Sequence, residues 1–145
     1  VVQDALDIYG VAAQRLSLEV TERIMVDNQE TMMNQLARLR DIGTRISLDD
    51  FGTGFCSLAC FRDLPVDEIK IDKSFVSRML ESDKDHAIVK AVIDLAHNFS
   101  MKVVAEGVAS LEIADRLADL RCDYLQGYAF NRPLPADEFA ARYRI

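Results

Sequence analysis

Apolar and polar positions along the chain follow two rhythms, a period of two in short stretches and a period near 3.6 between them. Residues 15–20 alternate, with Leu16, Leu18 and Val20 on one side and Ser17 and Glu19 on the other. Ile46 and Leu48 share one parity in residues 45–49, opposite Ser47 and Asp49, and in residues 68–72 Ile69 and Ile71 flank Lys70. Residues 102–107 and 124–128 are two further short strands. The intervals read as helices. Residues 1–8 are the last turns of one closed by Gly10, and Asp27 or Asn28 caps another that carries Met32, Leu36 and Leu39 and stops at Gly43. A short helix is expected over 57–62 and a long one over 85–99, with Ile88, Val92, Leu95 and Phe99 on its apolar stripe. Ser110 caps a helix bearing Ile113, Leu117 and Leu120, and Pro133 and Pro135 lead into a last one over 136–144.

Strand-then-helix units in succession imply an α/β fold with a parallel sheet and right-handed crossovers. Each strand ends in a polar residue: Glu19, Asp49 with Asp50, Lys70, Glu106 and Gln126. Open sheets and closed barrels both build their sites at the carboxyl ends of strands. Length favours an open sheet, since 145 residues fall well short of the ~250 of an eight-stranded barrel. Against this, an open sheet gathers ligands from the two or three strand ends at its switch point, whereas a barrel mouth uses them all. A phospho-receiver domain would place its acids and lysine in a different strand order.

Half of the residues are hydrophobic, enough for a real core, and the formal charge of −7 argues against affinity for duplex nucleic acid. No apolar run is long enough to span a membrane. The chain opens Val1-Val2-Gln3-Asp4, without an initiator Met or a signal segment, and so reads as a piece of something longer. Cys56, Cys60 and Cys122 form no Cys-x-x-Cys pair, which suits reduced thiols in the cytoplasm and disfavours a zinc site. His86 and His97 read as helix-surface residues.

The centre of the pattern is Asp49-Asp50-Phe51-Gly52-Thr53-Gly54. Taken alone, such a run is an ordinary turn. As the end of a strand leading into a loop, with Gly52 and Gly54 free to take positive φ, it lets two adjacent carboxylates reach one centre. Carboxylates gathered at one mouth raise one another's pKa unless a cation intervenes, and all-oxygen ligands select Mg²⁺ or Mn²⁺ over zinc or copper. Two ions about 3.5–4 Å apart, bridged by a shared Asp, are the arrangement of two-metal phosphodiester hydrolysis.

Leu18-Glu19-Val20-Thr21-Glu22, Ser47-Leu48-Asp49-Asp50-Phe51-Gly52-Thr53-Gly54, Ile69-Lys70-Ile71-Asp72, Val104-Ala105-Glu106-Gly107-Val108 and Gln126-Gly127-Tyr128 together resemble the EAL-domain family of cyclic-di-GMP phosphodiesterases. The resemblance implies a TIM-type barrel of which residues 1–145 form the C-terminal part, about five of eight βα units. It implies Glu19, Asp49 and Asp50 as metal ligands, Lys70 and Glu106 as catalytic groups around the attacking water, and Glu22, Thr53 and Gln126 as support for the loop and substrate. It further implies hydrolysis of cyclic di-GMP to linear pGpG in bacterial signalling, a homodimer formed by the complete domain, and a cytoplasmic setting even where upstream domains anchor the parent protein. The family's Glu-Ala-Leu motif and the Asn of its following strand are absent from the chain, and Gly54-Phe55-Cys56-Ser57 departs mildly from the usual loop. From the residues alone, Glu22 also reads as ordinary helix-start charge, and Gln126 as a partner for backbone groups. A non-catalytic receptor for the same dinucleotide is the alternative function. Five strands of a barrel also predict two open edges and an apolar inner face without an opposite wall, so the isolated fragment is expected to associate and to be inactive.

Overall fold

The computed structural model describes residues 1–22, 29–52 and 58–143. Five parallel strands lie side by side in chain order: β1 (Ser17–Thr21), β2 (Arg45–Phe51), β3 (Glu68–Ile71), β4 (Lys102–Ala105) and β5 (Tyr124–Leu125). The helices are α1 (Val2–Tyr9), α2 (Gln29–Ile42), α3 (Leu58–Asp63), α4 (Lys73–Val76), α5 (Asp83–Asn98), α6 (Leu111–Asp119) and α7 (Ala136–Tyr143). A doubly wound sheet reverses its strand order at a switch point and carries helices on both faces. Here each strand pairs with its sequence neighbours, so right-handed crossovers set the helices on one side. A sheet wound in one direction is a section of barrel wall, and this resolves the choice that the sequence left open.

The helix-covered face holds the core. Ile46, Leu48, Ile69, Ile71, Val103 and Ala105 are fully buried and share one apolar cluster with Leu36 of α2, Val89, Ile93 and Ala96 of α5, and Leu117 of α6. Each larger side chain so buried contributes about 1.5–3 kcal/mol. The stripe of α5 is rotated from the expected one: Ile88 and Phe99 are each 38% exposed, while Val89 and Ile93 face the sheet. Two apolar stripes at helical spacing coexist in that sequence, and packing against β3 and β4 selects one.

Local chemistry sets the helix ends. Gly10 closes α1 in the left-handed region at φ 62°, and the Ser82 and Ser110 hydroxyls accept from the backbone N–H groups of Asp85 and Ile113 at the starts of α5 and α6. The expected cap at Asp27 or Asn28 lies outside the described residues. α4 was not expected: Asp72 reads as the end of a strand, yet its carboxylate caps a helical turn by accepting from Ser74 N–H at 2.9 Å.

The other face of the sheet corrects the expectation of an apolar interior. Ser17, Arg45, Glu68, Lys70, Lys102 and Gln126, all of the parity opposite to the core residues, line an open cleft of about 440 Å³. Ser47 bridges neighbouring strands there by donating to Glu68 Oε1 at 2.9 Å. A wall with charged groups on its concave side is built to face polar partners or water, because an unpaired charge left in an apolar interior is heavily penalised.

Candidate active site

The decisive local feature is a break in register. Leu48 pairs with Ile69 and Phe51 with Ile71, so Asp49 and Asp50 together stand opposite the single residue Lys70. Two residues against one is a β-bulge, a device that re-aims side chains. Asp50 takes the strain at φ 55°, a left-handed conformation that Asp tolerates better than most residues, and Asp49 Oδ1 accepts from its N–H at 3.1 Å. The sequence suggested that the strand ends at Asp49 and that the loop glycines bring the pair together. Instead β2 runs on to Phe51, and the bulge within it turns both carboxylates. Gly52 then makes the turn at φ 101°, with the Phe75 ring 3.0 Å from where a Cβ would sit.

Lys70 is the hub. Its Nζ lies 2.7 Å from Glu106 Oε1, 3.0 Å from Glu19 Oε1 and 3.2 Å from Asp49 Oδ1, and the residue is only 6% exposed. Burial acts to lower its pKa, but the hydrogen bonds it donates to Glu106, Glu19 and Asp49 outweigh it and hold the ammonium well above the usual lysine value. Lys70 is thus held as a cation among these carboxylates. Oxygens of Asp49, Asp50 and Glu106 come within 4.8 Å of one another, a set able to hold a metal ion. One ammonium against four carboxylates leaves a surplus of negative charge, and the donors are all hard oxygens. Both facts fit a hard divalent cation.

Glu19 stands apart from that trio, its side chain 56% exposed, and joins the site through Lys70. Glu106 is placed by its N–H, which donates to Ile71 O at 3.2 Å, and Gln126 lies beside it with its N–H on Ala105 O at 2.9 Å. Glu22, one residue beyond β1, is 2% exposed, which does not suit a solvated helix-start charge. Thr53, with Gly54 and Cys56, lies outside the described residues. Next to the acids opens a cleft of about 550 Å³ lined by Lys73, Ser74, Ser77, Glu106, Gln126 and Tyr128. The Arg132 guanidinium lies over the Tyr128 ring, 5.1 Å from its centroid. The sequence pattern had not singled out Lys73, Ser74 or Arg132. The one available signal was Asp72 two residues before Ser74, a helix-cap spacing.

The description "EAL domain" matches residues 2–133, nearly the whole chain. The chain belongs to the EAL-domain family. It is 43% identical over 147 aligned positions to the cyclic di-GMP phosphodiesterase NbdA of Pseudomonas aeruginosa, covering 99% of this chain and 19% of the relative. Among solved structures, the PaMucR phosphodiesterase in complex with c-di-GMP superimposes with a TM-score of 0.91 at 37% identity, over 95% of this chain and 56% of that one. BlrP1 of Klebsiella pneumoniae, in a manganese and cyclic di-GMP complex, gives a TM-score of 0.84 at 31% identity, over 91% of this chain and 34% of that one. The chain thus spans about one fifth of the length of the curated relatives it matches. EAL domains are TIM-type barrels, and the five-stranded wall covers part of one. BlrP1 also has a calcium and cyclic di-GMP complex, so that structural relative holds the dinucleotide together with a divalent metal.

Proposed function

We propose that these residues are the C-terminal five units of an EAL phosphodiesterase domain, and that the complete domain hydrolyses cyclic di-GMP to linear pGpG with Mg²⁺ or Mn²⁺. The observation that carries this reading is the single buried ammonium of Lys70 held by Glu19, Asp49 and Glu106 beside the bulged acid pair. A receptor that only binds a dinucleotide has no need for a surplus of carboxylates where a phosphate must approach.

In this proposal Glu19, Asp49 and Asp50 supply oxygen ligands, and Glu106, within 4.8 Å of both aspartates, shares their ion and acts with Lys70 around the attacking water. When bound, the metal lowers the pKa of water and offsets charge on the phosphodiester. The chain's own groups do the rest. Lys70 gives its three N–H donors to Glu19, Asp49 and Glu106, which keeps these carboxylates in place, and its charge acts on the attacking water or the phosphate oxygens. Gln126 and Glu22 support the walls, with Thr53 in the loop that follows the acid pair. The 550 Å³ cleft beside Glu106 gives room for part of the dinucleotide. The remaining barrel strands, which carry the Glu-Ala-Leu motif in the family, complete the ligand set. A homodimer through the complete domain and a cytoplasmic location belong to the same proposal.

The test is to incubate the full-length protein with cyclic di-GMP in Mn²⁺, Mg²⁺ or Ca²⁺ and to follow pGpG by chromatography. Turnover in Mn²⁺ or Mg²⁺ and little in Ca²⁺ is expected, because looser calcium coordination misplaces the water. Tight binding of the dinucleotide without turnover in any of the three would replace the enzyme with a receptor.

A further inference from the structure

The loop that carries Glu106 is clamped between two other segments at points where neither has room for a side chain. Gly107, at φ 68°, approaches α4 so closely that a Cβ would stand 2.5 Å from Lys73 Cβ and 3.3 Å from Lys73 Cα. Real Cβ atoms essentially never come within 3.0 Å of such neighbours. Lys73 cannot yield at those atoms. Its turn is capped by Asp72 and anchored by Val76, which is fully buried. On the other side a Cβ on Gly127 would overlap both the nitrogen and the carbonyl oxygen of Val108. Val108 is itself fully buried, its N–H donating to Gln126 O at 3.0 Å and its carbonyl accepting from Ala129 N–H at 3.0 Å. Three backbones are therefore stacked in contact, from α4 through Gly107-Val108 to Gly127, with Glu106 and Gln126 emerging from the stack.

We infer that Gly107 and Gly127 are positioning residues that act through Glu106, holding its carboxylate at once on Lys70 and within the Asp49-Asp50 cluster. The inference rests on the phosphodiesterase reading for its kinetic consequences but not for its geometry. Glu106 meets both of its demands, 2.7 Å from Lys70 and within 4.8 Å of both aspartates, only while its backbone stays where the stack puts it. A methyl group at Gly127 must part the stack at backbone atoms, since no flexible side chain is there to give way. Displacements of about 1 Å at such a group cost on the order of 10²-fold in rate.

Gly10 supplies the control, being left-handed at φ 62° with nothing within 4 Å of its Cβ position, so Gly10→Ala imposes backbone strain without displacing a neighbour. In the full-length protein, Gly127→Ala and Gly107→Ala are expected to lower kcat about 10²-fold with KM changed less than about threefold, and to weaken Mn²⁺ binding in calorimetry at least about tenfold. Gly10→Ala is expected to leave all three unchanged. The decisive arm is the double variant Gly127→Ala/Glu106→Gln: if the glycine acts through Glu106, it turns over no more slowly than Glu106→Gln alone. Losses that multiply, or a Gly127→Ala enzyme within about twofold of wild type, overturn the inference. If the wild-type protein hydrolyses nothing, the functional reading fails separately, and the Mn²⁺ titrations alone decide, weaker binding in the glycine variants supporting the inference and equal binding refuting it.

Discussion

Lys70 Nζ, on β3, and Glu106 Oε1, just past the end of β4, lie 2.7 Å apart, the shortest of the three contacts that fix the lysine among acids. Removing that charge while keeping much of the volume, as in Lys70→Met, leaves Glu19, Asp49 and Glu106 facing one another uncompensated. In the full-length protein the proposed turnover should show kcat lowered about 10²–10³-fold, the usual cost of deleting one group that stabilises developing charge, with little change in KM. Steady-state kinetics at saturating Mn²⁺ checks this. An unchanged kcat with a raised KM would make Lys70 a clamp for the ground-state phosphate.

The same contacts set a pH dependence. The folded pKa of Lys70 is raised above its unfolded value, so its contribution to stability is complete below the ordinary lysine range and is lost only in stronger alkali. The difference in stability between wild type and Lys70→Met should therefore be constant from about pH 6 to pH 9. Chemical denaturation at several pH values measures it, and a steep decline within that window would show that Lys70 is not the cation described.

Asp49→Asn removes one ligand charge from the bulge and keeps its shape. Metal-dependent turnover should fall by about a thousandfold or more, while the melting temperature without metal stays level or rises as carboxylate repulsion is relieved. Turnover near wild type would remove Asp49 from the ligand set, and a collapse of the fold would show that its role is structural.

At the opposite end of the sheet Asp123 braces the start of β4. It accepts from Val103 N–H at 3.0 Å, from Lys102 Nζ at 2.6 Å, and meets His97 Nε2 at 2.8 Å. Asp67 repeats the pattern two units earlier, on β2, accepting from Ile46 N–H at 2.9 Å and meeting Arg40 at 3.1 Å. Burial acts to raise the Asp123 pKa, but these partners prevail and hold it below the usual carboxylate value. Its stabilising effect is thus present above the unfolded pKa and lost as pH falls through the lower folded one. Asp123→Ala should cost about 1–3 kcal/mol near neutral pH, the range for an abandoned buried donor, and the cost should shrink below about pH 3.5. Denaturation curves at neutral and acid pH measure it, and a cost that does not change with pH would contradict the brace.

The Cys122 thiol is pushed up to about 11 by burial. It should resist alkylation by iodoacetamide at neutral pH in the folded protein and react once unfolded, which mass spectrometry of the labelled peptide reads directly.

The sequence by itself determined the alternation of strands and helices, the cap at Ser110, and the chemistry of the strand ends, because these depend on residues near one another in the chain. Glu19, Asp49, Asp50, Lys70, Glu106 and Gln126 were each legible at or near the carboxyl end of a short strand-like stretch. Tertiary structure alone decided what those positions do together. Barrel wall rather than open sheet follows from strand order, a non-local property. The bulge opposite Lys70 depends on the register of β2 against β3, and local sequence suggested a loop in its place. The buried stripe of α5 was chosen by the strands beneath it. The polar residues of the inner face carried no signal of their own, because alternation records that two faces differ without saying that the second surrounds a charged interior. The clamp of Gly107 and Gly127 was least visible, since a missing Cβ has meaning only once another backbone occupies the space it would need.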